Sequence, residues 1–177
     1  GNLRADIAEG TFGAEALAEV LPFPNKVAVV YMTGAQLLET LEAASQGLPY
    51  TTETADACAS LMQVSGLTYA VDTTKAYDAL EAYGDHWFTA GSVSRVRIDD
   101  VNGQPFDAEA TYAVVTSNAN FNGMDSSYVL KAAAEANEQS AVTTAVVRDV
   151  VFRFIAAELN HQVGEAYAAP QGRLTVL

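Results

Sequence analysis

The chain has one cysteine, two histidines and only nine lysines and arginines in 177 residues, and each scarcity excludes a class of function. A lone thiol cannot close an internal disulfide, and Cys58 has no neighbouring Cys or CxxH spacing for zinc, so it reads as a structural side chain. Cysteine usage therefore leaves the compartment open. His86 and His161 stand far apart without an HxxxH or HxH partner, which argues against a metal site in this chain. The nine basic residues face 22 acidic ones, for a formal net charge of −13, and are scattered along the sequence. Nucleic acid polymers and anionic membranes need local positive potential, so a small molecule is the better partner. No apolar run approaches the ~20 residues that cross a bilayer, and no basic-then-apolar leader opens the sequence. GxSxG, P-loop and GxGxxG motifs are missing, and no nucleophile has a paired base, so no catalytic residue is assigned.

The chain does contain enough apolar surface for a core. Half of its residues are hydrophobic, which suits one globular domain over residues 1–177. Ala14, Ala16, Leu17 and Ala18 follow Thr11 and precede Pro22, predicting a helix capped by Thr11 that runs to about Val20. Lys26 to Met32 is a nearly continuous β-branched and aromatic run, predicting a buried central strand. Thr33 and Gln36 have capping-box spacing, and Leu37, Leu38 and Leu41 form the stripe of a helix ending near Gln46-Gly47. Residues 51–60 read as a loop with room for a helical turn, 63–71 as a strand, and 73–92 as an aromatic excursion without a clean period. Val96 and Ile98 alternate with Arg95 and Arg97. With Asn102-Gly103 as a turn and Tyr112 to Thr116 returning, this pattern predicts a hairpin. Val147, Val150, Val151, Phe154 and Ile155 share one side of a helix expected over 140–160, and 174–176 adds a short last strand. The fold class is α+β, with layered helices packed on mixed β-sheets.

Phe23 lies between two prolines just ahead of the expected central strand, in Leu21-Pro22-Phe23-Pro24-Asn25. A stiff backbone there can project the ring from the strand's edge, where it would offer a nucleobase about 1 to 3 kcal/mol of stacking; buried, it would be an ordinary core residue. Arg4 lies upstream, and Met32-Thr33-Gly34 ends the strand. Three further blocks follow: Met62-Gln63-Val64-Ser65-Gly66-Leu67-Thr68-Tyr69, then Asn122-Gly123-Met124-Asp125, then Gly172-Arg173-Leu174.

Together and in this order these blocks resemble the carboxy-terminal, substrate-binding domain of the 5'-nucleotidase family, over nearly the whole chain. The resemblance implies that Phe23 is one of two rings sandwiching a nucleobase and that Asn25 hydrogen-bonds the base edge, although Asn25 also reads as a turn residue. It implies that Arg4, which closes a Gly-rich segment kept in part as Gly1-Asn2, reaches the ribose and phosphate side; pairing with Asp6 is the alternative. Asp125 corresponds to an aspartate that accepts from ribose hydroxyls. Two departures stand out. Met124 and Ser126 replace glycines, which reshapes that loop. Ala119 falls where the second ring is expected. Phe121 would point to the same face if its segment were extended, and Tyr83, Trp87 and Phe88 are other sources of a second wall.

The resemblance further implies a hydrolase that converts a nucleotide to nucleoside plus phosphate, or opens a 2',3'-cyclic nucleotide. Its two divalent metal ions would belong to a separate amino-terminal metallophosphatase domain. This domain itself would take no cofactor, would bind a nucleotide or nucleoside, and would work outside the cytoplasm. The alternatives are the same fold serving another phosphoester, or a non-catalytic cell-surface binding domain.

Overall fold

A computed structural model describes residues 3–177. In chain order the elements are α1 (Ala14–Val20), β1 (Lys26–Thr33), α2 (Gly34–Ala44), α3 (Ala55–Cys58), β2 (Leu67–Val71), β3 (Ala79–Tyr83), β4 (Trp87–Ala90), β5 (Val96–Val101), β6 (Gln104–Pro105), β7 (Thr111–Ser117), α4 (Asn118–Phe121), α5 (Tyr128–Ala136), β8 (Ala141–Val146), α6 (Val147–Ala157) and β9 (Leu174–Val176). One sheet has the order β7-β1-β8, a second β6-β5-β2-β9, and β3-β4 form a separate hairpin. The first sheet is antiparallel throughout, and β9 lies parallel to β2 in the second. The α+β class with mixed sheets is as the sequence predicts.

The core is where α2 and α5 meet both sheets. Val30 and Met32 of β1, Leu37 and Leu41 of α2, Tyr69 and Val71 of β2, Val96 and Ile98 of β5, and Val129, Leu130 and Ala133 of α5 form one cluster. Strand β1 is central, as expected, and its alternate residues Ala28, Val30 and Met32 are fully buried while its other face is half-covered. At its end, Thr33 Oγ1 accepts from Gln36 N at 3.2 Å and Thr33 N donates to Gln36 Oε1 at 2.9 Å, forming the expected capping box. Gly34 is required here, because a Cβ would lie 2.2 Å from the Asp107 carbonyl oxygen.

Two buried charges tie α2 to β5. Glu42, fully buried, accepts from Arg95 N at 3.0 Å and Val96 N at 2.9 Å. The Arg95 guanidinium donates to the Ser45 and Leu48 carbonyls beyond the end of α2, satisfying acceptors that the helix leaves open and complementing its dipole. The alternation of Val96 and Ile98 predicts Arg95 outward with Arg97; Arg97 is exposed, but Arg95 is buried.

Four other expectations are corrected. Gly13, with extended backbone, occupies the cap of α1 instead of Thr11, and no side-chain cap forms. Strand β2 begins at Leu67, not 63, because the chain bends at Ser65-Gly66. Asn102 and Gly103 do turn with positive φ, but β5 returns only as β6, where Pro105 has no N–H to extend the ladder. Strand β7 pairs with β1 in the other sheet. Residues 141–146, inside the expected 140–160 helix, form β8 on the edge of β1, as their β-branched Val142, Thr143, Thr144 and Val146 favour. The aromatic excursion of 73–92 carries its own hairpin, β3-β4.

Candidate functional site

The antiparallel sheet brings three chain segments to the Lys26 end of β1. Val27 lies opposite Ser117, the last residue of β7, and Lys26 opposite Val146, the last of β8. The loop entering β1, the turn of α4 and the start of α6 therefore converge. Two bonds hold them: Lys26 N donates to Asn118 Oδ1 at 2.7 Å, and Val147 N to the Asn25 carbonyl at 2.8 Å. A small cleft at this junction is lined by Leu21, Phe23, Asn25, Ser117, Val147 and Arg148.

Phe23 stands at this cleft 42% exposed, a large aromatic surface left to solvent. The Arg4 guanidinium carbon lies over its ring, 5.4 Å from the centroid, a cation–π contact. Arg4 thus engages Phe23 and makes no ion pair with Asp6. Asn25 is half-buried, and its side-chain amide makes no hydrogen bond among the described residues, which leaves both a donor and an acceptor for a ligand. Gly1 and Asn2 of the Gly-rich segment lie outside the described residues.

Asp125 occupies the other end of the α4 region. Gly123 N bonds to Asn120 O and Met124 N to Ala119 O, both at 3.0 Å, so residues 118–125 form one compact turn. Gly123 has φ 86°, and a Cβ there would lie 2.4 Å from the Tyr83 hydroxyl, so this glycine is fixed by packing as well as backbone. Asp125 itself has φ 56°, a conformation that Asp tolerates better than most residues. It lines a larger groove of about 1080 Å³ with Asn120, Ser127 and the 62–67 segment; Leu3, next to Arg4, lines the same groove. The structure thus puts Phe23 and Asn25 at one cleft with Arg4 over the Phe23 ring, and Asp125 in a separate groove that Leu3 also lines.

Phe121 does not replace the missing second ring. Its placement beside Phe23 required an extended segment, but residues 118–121 are helical, with Ser117 Oγ accepting from Asn120 N, and the Phe121 ring packs against the core cluster. Tyr83 is engaged elsewhere, donating to the Gly123 carbonyl at 2.6 Å with its ring 5.6 Å from that of Tyr128. Cys58 donates to the Gly47 carbonyl at 2.8 Å, and burial raises its pKa, which makes it a poor nucleophile. Among the described residues no group of three or more His, Cys, Asp or Glu could hold a metal ion. Nor is any helix among them long and apolar enough to cross a membrane.

Arg148, which the sequence alone does not single out, lines the same cleft as Phe23, brought there by the pairing of β8 with β1.

Residues 1–132 match the family described as 5'-nucleotidase, C-terminal domain. The chain belongs to this family. Among solved structures, the 5'-nucleotidase precursor from Thermus thermophilus is 30% identical, with a TM-score of 0.73 over 99% of this chain and 30% of its own. The NAD nucleotidase of Haemophilus influenzae shares the fold at 18% identity and a TM-score of 0.67, over 99% of this chain and 28% of its own. No curated protein sequence matches. The chain thus spans less than a third of these nucleotidases, in the region of a 5'-nucleotidase C-terminal domain. Arg148 lies beyond the residues that match the family.

Proposed function

We propose that this domain holds the nucleoside part of a nucleotide for a phosphoester hydrolase. Its two divalent metal ions would sit in a separate metallophosphatase domain of the same polypeptide. The observation that carries this reading is the exposed Phe23 ring at the β1 entrance, with the Arg4 guanidinium on it and the free Asn25 amide beside it. A ring, a fixed cation and an amide suit a planar base joined to an anionic group. Asp125, in the groove that Leu3 also lines, would accept from the ribose diol. Binding free energy gathered on this non-reacting half of the substrate can position the phosphate for attack elsewhere. The reaction would release nucleoside and phosphate, or open a 2',3'-cyclic nucleotide, and the chain alone would show no phosphatase activity. The word "precursor" in the name of the Thermus relative supports an exported protein.

Calorimetric titration of the chain with adenosine, AMP and uridine, beside Phe23→Ala, tests the reading. Saturable binding that the variant weakens by roughly 1 to 3 kcal/mol is expected. No binding at millimolar ligand, or binding indifferent to Phe23→Ala, overturns it. Ala119 and the exposed Met124 favour a second reading, in which the fold serves a different phosphoester. Turnover of the intact polypeptide with AMP, cyclic nucleotides and a UDP-sugar separates the two.

A further inference from the structure

We infer that Arg148 is a specificity residue of the Phe23 cleft, and that it selects 6-oxopurine nucleosides such as guanosine, whose base presents two adjacent acceptors, over adenosine. The inference rests on the nucleoside reading above and adds a residue and a substrate class to it.

Arg148 lines the small cleft together with Phe23 and Asn25. Arg148 is half-buried and forms no ion pair among the described residues, in a chain whose formal net charge is −13. Its contact to the Leu21 carbonyl is 3.5 Å from Nη1, at the outer limit of a hydrogen bond, so its donors are largely uncommitted. It also stands in the first turn of α6, where the helix dipole disfavours a cation. Beyond the one long bond to Leu21, no ion pair among the described residues holds the guanidinium, and its remaining donors suit a ligand in the cleft.

The chemistry of the fork indicates which ligand. A guanidinium only donates, in a planar geometry that matches two adjacent acceptors. Guanine presents O6 and N7 on one edge, both acceptors, and arginine pairs with them bidentately. Adenine presents an amino donor at the first of these positions, which opposes another donor. Asn25, with both donor and acceptor, tolerates either base, so discrimination falls to Arg148. Phe23 at one wall of the cleft and Val147 and Arg148 of α6 at another put the guanidinium within the same small space as a base stacked on Phe23.

The test titrates guanosine, adenosine, GMP and AMP into the 177-residue chain and into its Arg148→Ala, Arg148→Lys and Phe23→Ala variants, with circular dichroism confirming the fold of each. The unaltered chain should bind guanosine about tenfold to a hundredfold more tightly than adenosine. Arg148→Ala should abolish that ratio by weakening guanosine alone, and Arg148→Lys, which keeps the charge but not the fork, should restore little of it. Phe23→Ala should weaken both nucleosides alike. Equal affinity for the two nucleosides, or a preference for adenosine, overturns the inference. So does an Arg148→Ala variant that weakens GMP and AMP equally while sparing the nucleosides, which would assign Arg148 to phosphate. In both cases sensitivity to Phe23→Ala keeps the nucleoside reading standing; if no ligand binds at all, both fall together.

Discussion

The two ends of β1 use the same kinds of group to opposite purposes. At the Thr33 end, polar groups bond inward: Thr33 and Gln36 cap each other, Gly34 N reaches the Ala110 carbonyl at 2.9 Å, and farther along α2 Glu42 takes the backbone N–H groups that open β5. At the Lys26 end the backbone is equally well stitched, but the side chains are not. Phe23 is exposed, the Asn25 amide is unused, and Arg4 and Arg148 have no carboxylate partner among the described residues. Groups left so contribute little to folding, and on the proposed reading a ligand would supply the partners they lack. The difference separates side chains that hold the fold from side chains available for binding, within one strand's length.

The sharpest way to break this division is Glu42→Ala. It leaves two buried N–H groups unpaired and strips Arg95, itself buried, of its nearby countercharge. Removing one partner of a buried charged network costs about 3 to 5 kcal/mol, so the urea midpoint should fall steeply while nucleoside affinity, measured where the protein remains folded, stays unchanged. A loss below about 1 kcal/mol would mean that Glu42 does not anchor β5 to α2. The mirror-image experiment is Phe23→Ala. Its binding loss of about 1 to 3 kcal/mol should come with a stability change within about 0.5 kcal/mol, as for an exposed side chain. A comparable loss of stability would place Phe23 with the core and remove the contrast.

Alkaline pH sharpens the comparison from inside the core. Burial pushes the Tyr69 pKa up to about 12, and its hydroxyl donates to the Met62 carbonyl at 2.7 Å. The folded state keeps this proton where the unfolded chain, with a pKa near 10, has lost it. The contribution is therefore complete below about pH 10 and declines as pH rises towards about 12, by about 1 kcal/mol near pH 11. Denaturation midpoints across that range should show the decline, and Tyr69→Phe should make it shallower. A slope unchanged in Tyr69→Phe would assign it to other groups, with Tyr128, also raised to about 12 by burial, the first to examine.

How far the sequence could be read follows the same division. The Thr33 end was legible because its signals are local: a capping box at fixed spacing, a helical stripe and a β-branched run each declare themselves within a few residues. Phe23, Asn25 and Arg4 were legible only because their motif resembles a family's, and nothing in their own spacing separated a ligand site from a turn. What escaped depended on pairing at long range. Residues 141–146 carry both helix-compatible and β-branched character, and the free edge of β1 decides between them; Arg148 enters the site only through that pairing. Strand β7 pairs with β1 rather than with β5, its nearer neighbour in the chain, because Pro105 ends the short return. Phe121 was misplaced for a related reason: Ser117 caps a helical turn that an extended reading of β7 runs straight through.

The smallest effect makes the cleanest pair. Thr33→Ala removes the side-chain acceptor for Gln36 N at the start of α2 and should cost about 1 kcal/mol of stability, with no change in ligand affinity. Asn25→Ala, at the opposite end of the strand, removes an amide with no internal hydrogen bond, while the carbonyl that accepts from Val147 N is backbone and survives the substitution. Its stability should therefore match that of the unaltered chain, and its loss should appear only in nucleoside binding. If Asn25→Ala is as destabilising as Thr33→Ala, the amide has an internal role at the entry to β1, and the difference between the two ends of the strand disappears.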